Sequence, residues 1–373
     1  MEAVAWDLCK EFSRTNGVRV SVLTTACKAL PPLSVQDGVE IRTVASPPGR
    51  YSMLWWLRAR QAYRRYYEGQ TDIILSVSAA AFSLPLAGKN RPLTVAQVHG
   101  TAWGEFKSKW RQLKFWPALK SLRNAAWMIR DLRYRQFDRI IAIGPAVLRE
   151  LQLAPTRWIM GQQQFDVISN GINLAEFCFD PQKRRLIRGQ LGLNETDRTV
   201  ISVSRLHAQK GVLEALEGFA TAARLDEDLR YIIVGSGPQH SLIRKRIAEL
   251  NLEDRVRLMG EIPREKVPDL FSAADIFLFT SKRVEGLPTN VLEALGNGLP
   301  IIASAHIADD RIGVTPVDPD DANEVSSALL RVKPHLNRSP RLVTELTLEF
   351  AASQYIKTFD PTGRHVGREN WKA

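Results

Sequence analysis

The sequence predicts an α/β protein built from two doubly wound domains. Strand-like and helix-like patterns alternate along a chain of 373 residues, which is too long for one ordinary hydrophobic core. The strand-like segments are apolar, β-branched runs bounded by polar residues, glycine or proline, as in parallel strands that are buried on both faces. Hydrophobic residues make up 45% of the chain and charged residues 24%, so there is enough apolar material for two cores.

The first half is predicted to begin with a helix, because Val4, Leu8 and Phe12 follow helical spacing before any strand-like run. Six strands are then predicted, at 18–25, 39–44, 71–78, 92–100, 137–144 and 165–171. A doubly wound sheet normally opens with a strand and a glycine-bearing turn that precede this helix. We therefore expect the first domain to lack its first strand and its glycine-rich loop.

The second half continues the alternation with helical patterns at 211–224 and 239–250. Its five predicted strands lie at 198–206, 229–237, 255–262, 274–281 and 299–304. The predicted domains are 1–180 and 181–340, followed by a C-terminal helix and tail over 341–373. A ligand cleft is expected between the two domains, at the carboxyl ends of both sheets.

Almost all of the net charge of +11 arises in residues 1–180. Its densest part is 106–135, where Lys and Arg alternate with aromatic residues such as Trp110 and Trp116. Such a segment suits an anionic membrane surface, with rings at the headgroups and cations on the phosphates. A solvated helix that packs its aromatic side on its own domain remains an equal alternative. Nucleic acid is not expected as a partner, because no recognition motif accompanies the charge.

The compartment is predicted from what the sequence does not contain. It has no apolar run of about 18 residues and no basic-then-apolar leader, so we expect a cytoplasmic protein, peripheral at most to the inner membrane face. Cys9, Cys27 and Cys178 are scattered and lack metal-ligand spacing, which favours buried or idle thiols. No acidic pair stands in a metal-site setting either, and no metal is expected.

Two loops of the second half contain candidate phosphate ligands. After one predicted strand, Arg205 and Lys210 lie on a short loop that ends in Gly211. Arg can bind two phosphate oxygens at once and Lys adds a movable charge, which together suit a diphosphate. After the next strand, Gly235 and Gly237 form a tight turn that permits close approach of a ligand to the backbone.

The stretch EGLPTNVLE, residues 285–293, is the third candidate. Pro288 suits the first position of a helix, whose free amides at Gly286, Leu287 and Thr289 would bind an anion such as phosphate. Glu285 and Glu293 would repel that phosphate, so we expect them to accept hydrogen bonds from sugar hydroxyls on either side of it. The alternative is that both are acids that favour the positive end of the helix dipole.

These segments are similar to family 4 glycosyltransferases of the GT-B fold. The runs SRLHAQKG (204–211), VGSGP (234–238), 260–281 and 285–304 resemble their second domain, and VISNGINLAEF (167–177) resembles the segment that closes their first. The similarity follows the chain in order over most of its length. The two glutamates of EGLPTNVLE, with seven residues between them, are its most specific part.

The resemblance implies two Rossmann-like domains facing a cleft. It also implies retaining, metal-independent transfer of a sugar from a nucleotide diphosphate to a glycan or lipid-linked acceptor, in cell-surface polysaccharide synthesis. Arg205 and Lys210 would neutralise the leaving diphosphate, and Glu285 would contact the donor sugar. His99 matches the histidine that the family places near the reacting centre. No cofactor is implied beyond the donor substrate.

The implied donor-binding residues form a larger group that surrounds the diphosphate, the ribose and the base. Glu293 would bind the ribose, and the loop around Gly260 and Ile262 matches the position that contacts the base through its backbone. The full set is Gly235, Gly237, Ile262, Gly286, Leu287, Pro288, Thr289 and Glu293.

Two departures from the family pattern stand out, the absent first strand with its glycine loop and the short stretch AHIADDRIGVTP at 305–316. The first bears on whether this chain is active. Three alternatives therefore stay open: a nucleotide-sugar epimerase of the same fold, an N-terminally truncated relative that only binds nucleotide, and a nucleic-acid binder that rests on the basic first half.

Overall fold

The computed structural model describes residues 2–27, 30–47, 52–84, 91–101, 131–161, 163–283, 286–307, 311–333 and 338–359. The chain divides into two compact units. The first consists of Met1–Asn170 with Leu348–Ala373, and the second of Gly171–Thr347.

The first unit contains a four-stranded parallel sheet in the order β4-β5-β6-β7 and a three-stranded sheet in the order β1-β3-β2. Its described elements up to residue 170 are α1 (Glu2–Ser13), β1 (Ser21–Thr25), β2 (Leu33–Gln36), β3 (Val39–Val44), α2 (Met53–Tyr66), β4 (Ile73–Val77), β5 (Leu93–Val98), β6 (Arg139–Ala142), α3 (Pro145–Gln152), α4 (Thr156–Met160) and β7 (Phe165–Val167). Each of the six predicted strands overlaps one of these strands, and the predicted first helix is α1.

Strand β2 was not among the predicted elements. It pairs antiparallel with β3, and Asp37 and Gly38 connect the two strands with φ angles of +50° and +78°. Positive φ at both central residues belongs to the tight hairpin turn that Asp-Gly favours. The Asp-Gly pair was therefore the signal that could have revealed this strand, whose four residues Leu-Ser-Val-Gln are too short and too exposed for a periodic pattern.

The second unit is built on one six-stranded parallel sheet in the order β10-β9-β8-β11-β12-β13. Its elements are α5 (Leu174–Phe177), α6 (Pro181–Gln190), β8 (Arg198–Val203), α7 (Val212–Ala223), β9 (Leu229–Val234), α8 (His240–Glu249), β10 (Val256–Gly260), α9 (Val267–Ala273), β11 (Ile276–Phe279), α10 (Thr289–Gly296), β12 (Ile301–Ser304), β13 (Val314–Val317) and α11 (Ala322–Arg331). From β8 the chain adds β9 and β10 on one side, and from β11 it adds β12 and β13 on the other. The direction of winding therefore reverses between β8 and β11.

Both faces of this sheet are apolar, which is why its strands read as continuous hydrophobic runs. In β9, Tyr231 and Ile233 enter one core, while Ile232 and Val234 enter the core on the opposite face. Successive side chains of a strand point to opposite faces, so a strand covered on both sides needs apolar residues at every position. The five predicted strands of this half are confirmed.

Strand β13 was missed because it contains Pro316, and proline within a run argues against a strand. In the structure β13 lies at the edge of the sheet, where it pairs with β12 alone. An edge position tolerates proline because its missing amide is not needed by a neighbour on the outer side.

The last described element, α12 (Leu348–Phe359), belongs to the first unit and packs beside α1. Val4 and Leu8 of α1 and Tyr355 of α12 form one buried cluster with Val95 of β5 and Ile141 of β6. The helical spacing of the apolar residues in α1 thus places them against the sheet.

Candidate functional site

The loop that follows β8 holds the two predicted cations. Arg205 is exposed, whereas Lys210 is half-buried, with Nζ 5.3 Å from the centroid of the Phe279 ring. Lys210 ends a short 3-10 helix, Ala208–Lys210, and Gly211 follows with φ +65°. A Cβ on Gly211 would lie 1.9 Å from the Thr280 carbonyl oxygen. Glycine is therefore required there to bring the Lys210 loop against the end of β11.

The loop after β9 packs directly on the β8 loop. A Cβ on Gly235 would lie 1.8 Å from the Ser204 carbonyl oxygen, and one on Gly237 would lie 2.4 Å from that of Leu206. The Leu206 amide donates to the Ser236 carbonyl at 2.8 Å. The space beside these glycines is thus filled by protein backbone. Their contact with a ligand stays a prediction, but their structural role is now clear.

Helix α10 starts at Thr289, with Pro288 at the N-cap. The prediction that Pro288 occupies the first helical position was therefore wrong by one residue. The Val291 and Leu292 amides donate to the Pro288 carbonyl at 3.1 and 3.2 Å, whereas the amides before them belong to the turn that lacks intrahelical acceptors. Asn290 Nδ2 donates to the Val203 carbonyl at 2.5 Å, which ties the helix start to the end of β8.

The two predicted glutamates differ in what can be said of them. Glu285 lies outside the described residues. Glu293 is buried, at 8% exposure, and its Oε1 lies 3.5 Å from Nη2 of Arg264. Glu293 is the fifth residue of α10, beyond its first turn, so the reading of this residue as a first-turn acid is wrong. Arg264 was missed, because a partner 29 positions away along the chain leaves no periodic signal.

Ile262 and Gly260 follow at the end of β10. The Gly260 carbonyl accepts from the Gly235 amide at 2.7 Å, and Ile262 is half-buried against the core that contains Leu287. The loops after β10, β9, β8 and β11 belong to four strands that are neighbours in a parallel sheet, so their carboxyl ends meet at one edge. The two central strands, β8 and β11, flank the reversal of winding, where doubly wound sheets bind ligands.

His99 lies in the first unit, whereas the other predicted site residues belong to the second. It follows β5 and is half-buried, with Nε2 3.1 Å from Gln97 Oε1. Gln97 is buried, and its Nε2 donates to the Tyr355 hydroxyl at 2.7 Å. Burial lowers the pKa of His99 to about 4, so the imidazole is neutral at pH 7. Neither Gln97 nor Tyr355 was predicted from the sequence.

Most of the basic segment 106–135 lies outside the described residues, which resume at Asp131. In its described end, Arg135 donates to the carbonyls of Trp158 and Ile159 at 2.7 and 2.8 Å. Over the described ranges, no helix is both long and apolar enough to cross a membrane. Within the same ranges, no group of three or more His, Cys, Asp or Glu side chains is arranged to hold a metal ion.

This architecture matches that of solved structures with the GT-B fold. The sucrose-phosphate synthase of Thermosynechococcus elongatus is 20% identical with a TM-score of 0.75, over 96% of this chain and 92% of that chain. HepE of Anabaena, solved in complex with UDP-glucose, is 20% identical with a TM-score of 0.66, over 96% and 92%. The α/β fold class and the GT-B architecture predicted from the motifs are confirmed.

The family is established by matches in both halves of the chain. The Glycosyltransferase Family 4 model matches residues 1–176, and the Glycosyl transferases group 1 model matches residues 183–308. The chain belongs to the family 4 glycosyltransferases. It is 29% identical over 171 residues to the amylovoran biosynthesis glycosyltransferase AmsK of Erwinia amylovora, which is 43% of this chain and 42% of that protein. The match thus spans less than half the length of this curated relative.

Proposed function

We propose that this chain transfers a sugar from a nucleotide diphosphate sugar to a glycan or lipid-linked acceptor in polysaccharide synthesis. Transfer is proposed to retain the anomeric configuration and to need no metal ion. The observation that carries the proposal is the meeting of the Arg205–Lys210 loop and the N-terminus of α10 at neighbouring strand ends. A UDP-glucose complex of HepE and the named role of AmsK support the substrate classes.

In the proposed reaction, the bond between the sugar and the diphosphate breaks and negative charge builds on the departing phosphate. Arg205, Lys210 and the first amides of α10 are the groups that would stabilise this charge. Lys210 is the better positioned of the two cations, because Gly211 and the Phe279 ring restrict where its ammonium group lies. Fixed charges lower the barrier more than mobile ones, since they need no reorganisation during the reaction.

Glu293 is the proposed ligand of the ribose. A carboxylate offers about four acceptor positions, so its pair with Arg264 is compatible with accepting two ribose hydroxyls. Arg264 then acts as the group that orients Glu293. Glu285 is proposed to accept from hydroxyls of the donor sugar. His99 is proposed to act near the reacting centre as a neutral hydrogen-bonding group, given its low pKa.

The proposed location is the cytoplasm, with segment 106–135 at the inner face of the membrane. Its alternation of cations and aromatic rings supports this placement. Binding to anionic vesicles that weakens as salt is added is the expected behaviour, and no binding at low salt would exclude it.

The first test is a thermal shift with UDP, GDP and ADP at millimolar concentration. A ligand present at 100 times its Kd stabilises a protein by about 2.7 kcal/mol, which is a shift of several degrees. Stabilisation by at least one nucleoside diphosphate is expected. If none of the three raises the melting temperature, the transferase proposal fails.

Variants then separate the roles of the residues. Lys210→Ala should weaken both nucleotide binding and transfer, whereas Glu285→Ala should abolish transfer and leave nucleotide affinity largely unchanged. Lys245→Ala, on an exposed part of α8, is the control and should alter neither. Equal loss of nucleotide affinity in the Lys210 and Glu285 variants would contradict the assignment. Proton NMR of the product anomer and transfer in EDTA test retention and metal independence.

A further inference from the structure

Helix α2 has one buried face and one that no described element covers. Trp55, Ala59, Ala62 and Tyr63 are buried, which is the i, i+4, i+7, i+8 spacing of a helix packed on its domain. The opposite face carries three large apolar side chains, Met53, Leu54 and Leu57, at 68%, 40% and 62% exposure. The apolar residues at the start of this helix therefore face away from the core.

The same exposed surface is strongly basic. Arg58, Arg60, Arg64 and Arg65 are all exposed, and the 14 residues of α2 include no Asp or Glu. No carboxylate of the described residues pairs with any of these four arginines. Arg58 donates to the Ala45 carbonyl, and the Arg65 guanidinium lies 5.3 Å from the Tyr66 ring centroid. Four cations and three aliphatic side chains thus share one helix surface.

At 100° per residue, Met53, Leu57, Gln61 and Arg64 follow one line along the helix, with cations on both flanks. The aliphatic groups are concentrated in its first half. This is the arrangement of a helix that lies in a membrane interface, where aliphatic groups enter the acyl boundary and cations meet the lipid phosphates. A second copy of the chain is a less suitable partner, because it would bring two sets of four arginines together. Single-stranded nucleic acid is also less suitable, because proteins that bind it present aromatic rings on which the bases stack.

We propose that α2 docks on an anionic phospholipid bilayer. Met53, Leu54 and Leu57 insert below the headgroups, and Arg58, Arg60, Arg64 and Arg65 bind the phosphates. This surface is separate in sequence from the 106–135 segment and does not depend on the transferase activity. Docking through α2 would hold the first unit at the surface where a lipid-linked acceptor is found.

The test is co-sedimentation of the full chain with large vesicles of 40% phosphatidylglycerol and 60% phosphatidylcholine, in 50 mM salt. Each arginine near such a surface strengthens binding by about fivefold. Arg60→Gln with Arg64→Gln should therefore lower the partition coefficient by about 25-fold. Leu57→Ser with Met53→Ser should lower it at least tenfold, while vesicles of phosphatidylcholine alone should bind little wild-type protein.

Matched controls come from exposed positions of the second unit. Leu225, at 74% exposure, is changed to Ser, and the exposed Arg224 and Arg244 are changed together to Gln. These controls should bind vesicles like the wild type, and every variant should melt at the wild-type temperature because only exposed side chains change.

Three results would overturn the proposal. One is wild-type protein that does not bind the anionic vesicles. The second is α2 variants that bind the vesicles like the wild type. If Lys107→Gln with Lys109→Gln then abolishes binding, the 106–135 segment is the part of the chain that binds. The third is wild-type protein that self-associates by light scattering and α2 variants that do not, since a second copy would then be the occupant.

Discussion

Replacement of Tyr355 by Phe tests the buried hydrogen-bond chain that supports His99. The Tyr355 side chain is fully buried, and burial raises the pKa of its hydroxyl, which therefore stays neutral. The substitution removes one oxygen and keeps the ring, which packs on Phe12 at a centroid distance of 6.0 Å. It leaves the buried Gln97 amide without its 2.7 Å acceptor. An unpaired buried donor costs about 1–3 kcal/mol, and this is the expected loss in the free energy of unfolding.

Tryptophan fluorescence in a urea titration isolates this effect. All nine Trp residues lie in segments of the first unit, so the signal reports the unfolding of that unit. With an m-value of about 1–3 kcal/mol/M, the midpoint should fall by roughly 1 M. Tyr66→Phe is the control, because Tyr66 is 39% exposed and its hydroxyl can bond to water. This variant should change by less than about 0.5 kcal/mol.

A second variant separates the hydrogen bond from general loss of packing. Gln97→Met with Tyr355→Phe replaces both partners by apolar groups, which removes the unpaired donor. The double variant should therefore be more stable than the sum of the single changes predicts, by about 1 kcal/mol. A Tyr355→Phe midpoint equal to that of Tyr66→Phe, or strictly additive effects, would refute the reasoning.

Three further predictions concern the protonation of His99, the ion pairs of Asp275 and the glycine of the β9 loop. The pKa of His99 is about 4 in the folded chain and near 6.5 in the unfolded chain, so the unfolded chain binds the extra proton as pH falls. The free energy of unfolding should therefore decline as pH falls from about 6.5 to about 4. His99→Asn should flatten this pH dependence of the urea midpoint, and an unchanged slope would contradict the assignment. Asp275→Leu should lower the free energy of unfolding of the second unit by about 3–5 kcal/mol, measured by hydrogen exchange, because it leaves the buried Arg188 and the half-buried Arg184 without their shared carboxylate. Lys183→Ala removes a surface ion pair with Asp269 and should lower the free energy of unfolding by less than about 1 kcal/mol. Equal losses in the Asp275 and Lys183 variants would contradict this distinction. Gly235→Ala should abolish stabilisation by nucleotide, because a Cβ there would collide with backbone. Gly192 also has positive φ but has open space around it, so Gly192→Ala should lower the free energy of unfolding by only about 1 kcal/mol. Stabilisation by nucleotide that is retained in Gly235→Ala would show that the loop tolerates a side chain.

Much of the fold was predictable, because parallel strands that are buried on both faces produce runs that local pattern reading detects. The eleven predicted strands all overlap observed ones, and the two that were missed are edge strands. Edge strands are short, partly exposed, or interrupted by residues such as Pro316, so the pattern that identifies a central strand is absent from them.

The candidate site also has a part that the sequence predicts and a part that it does not. Its loops were predicted because Arg205, Lys210, Gly235 and the start of α10 directly follow recognisable strands. The sequence alone therefore determined which loops meet at one edge of the sheet, since neighbouring parallel strands end on the same side.

Only the tertiary structure decided the partners of the buried polar groups. Arg264 meets Glu293, and Tyr355 reaches Gln97 across 258 positions of sequence. Local periodicity extends over a turn or a strand, whereas a buried polar side chain takes whichever partner the packing of distant elements brings to it. The hydrogen-bond chain behind His99 is thus a product of the C-terminal helix returning to the first unit, which no single segment of the sequence encodes.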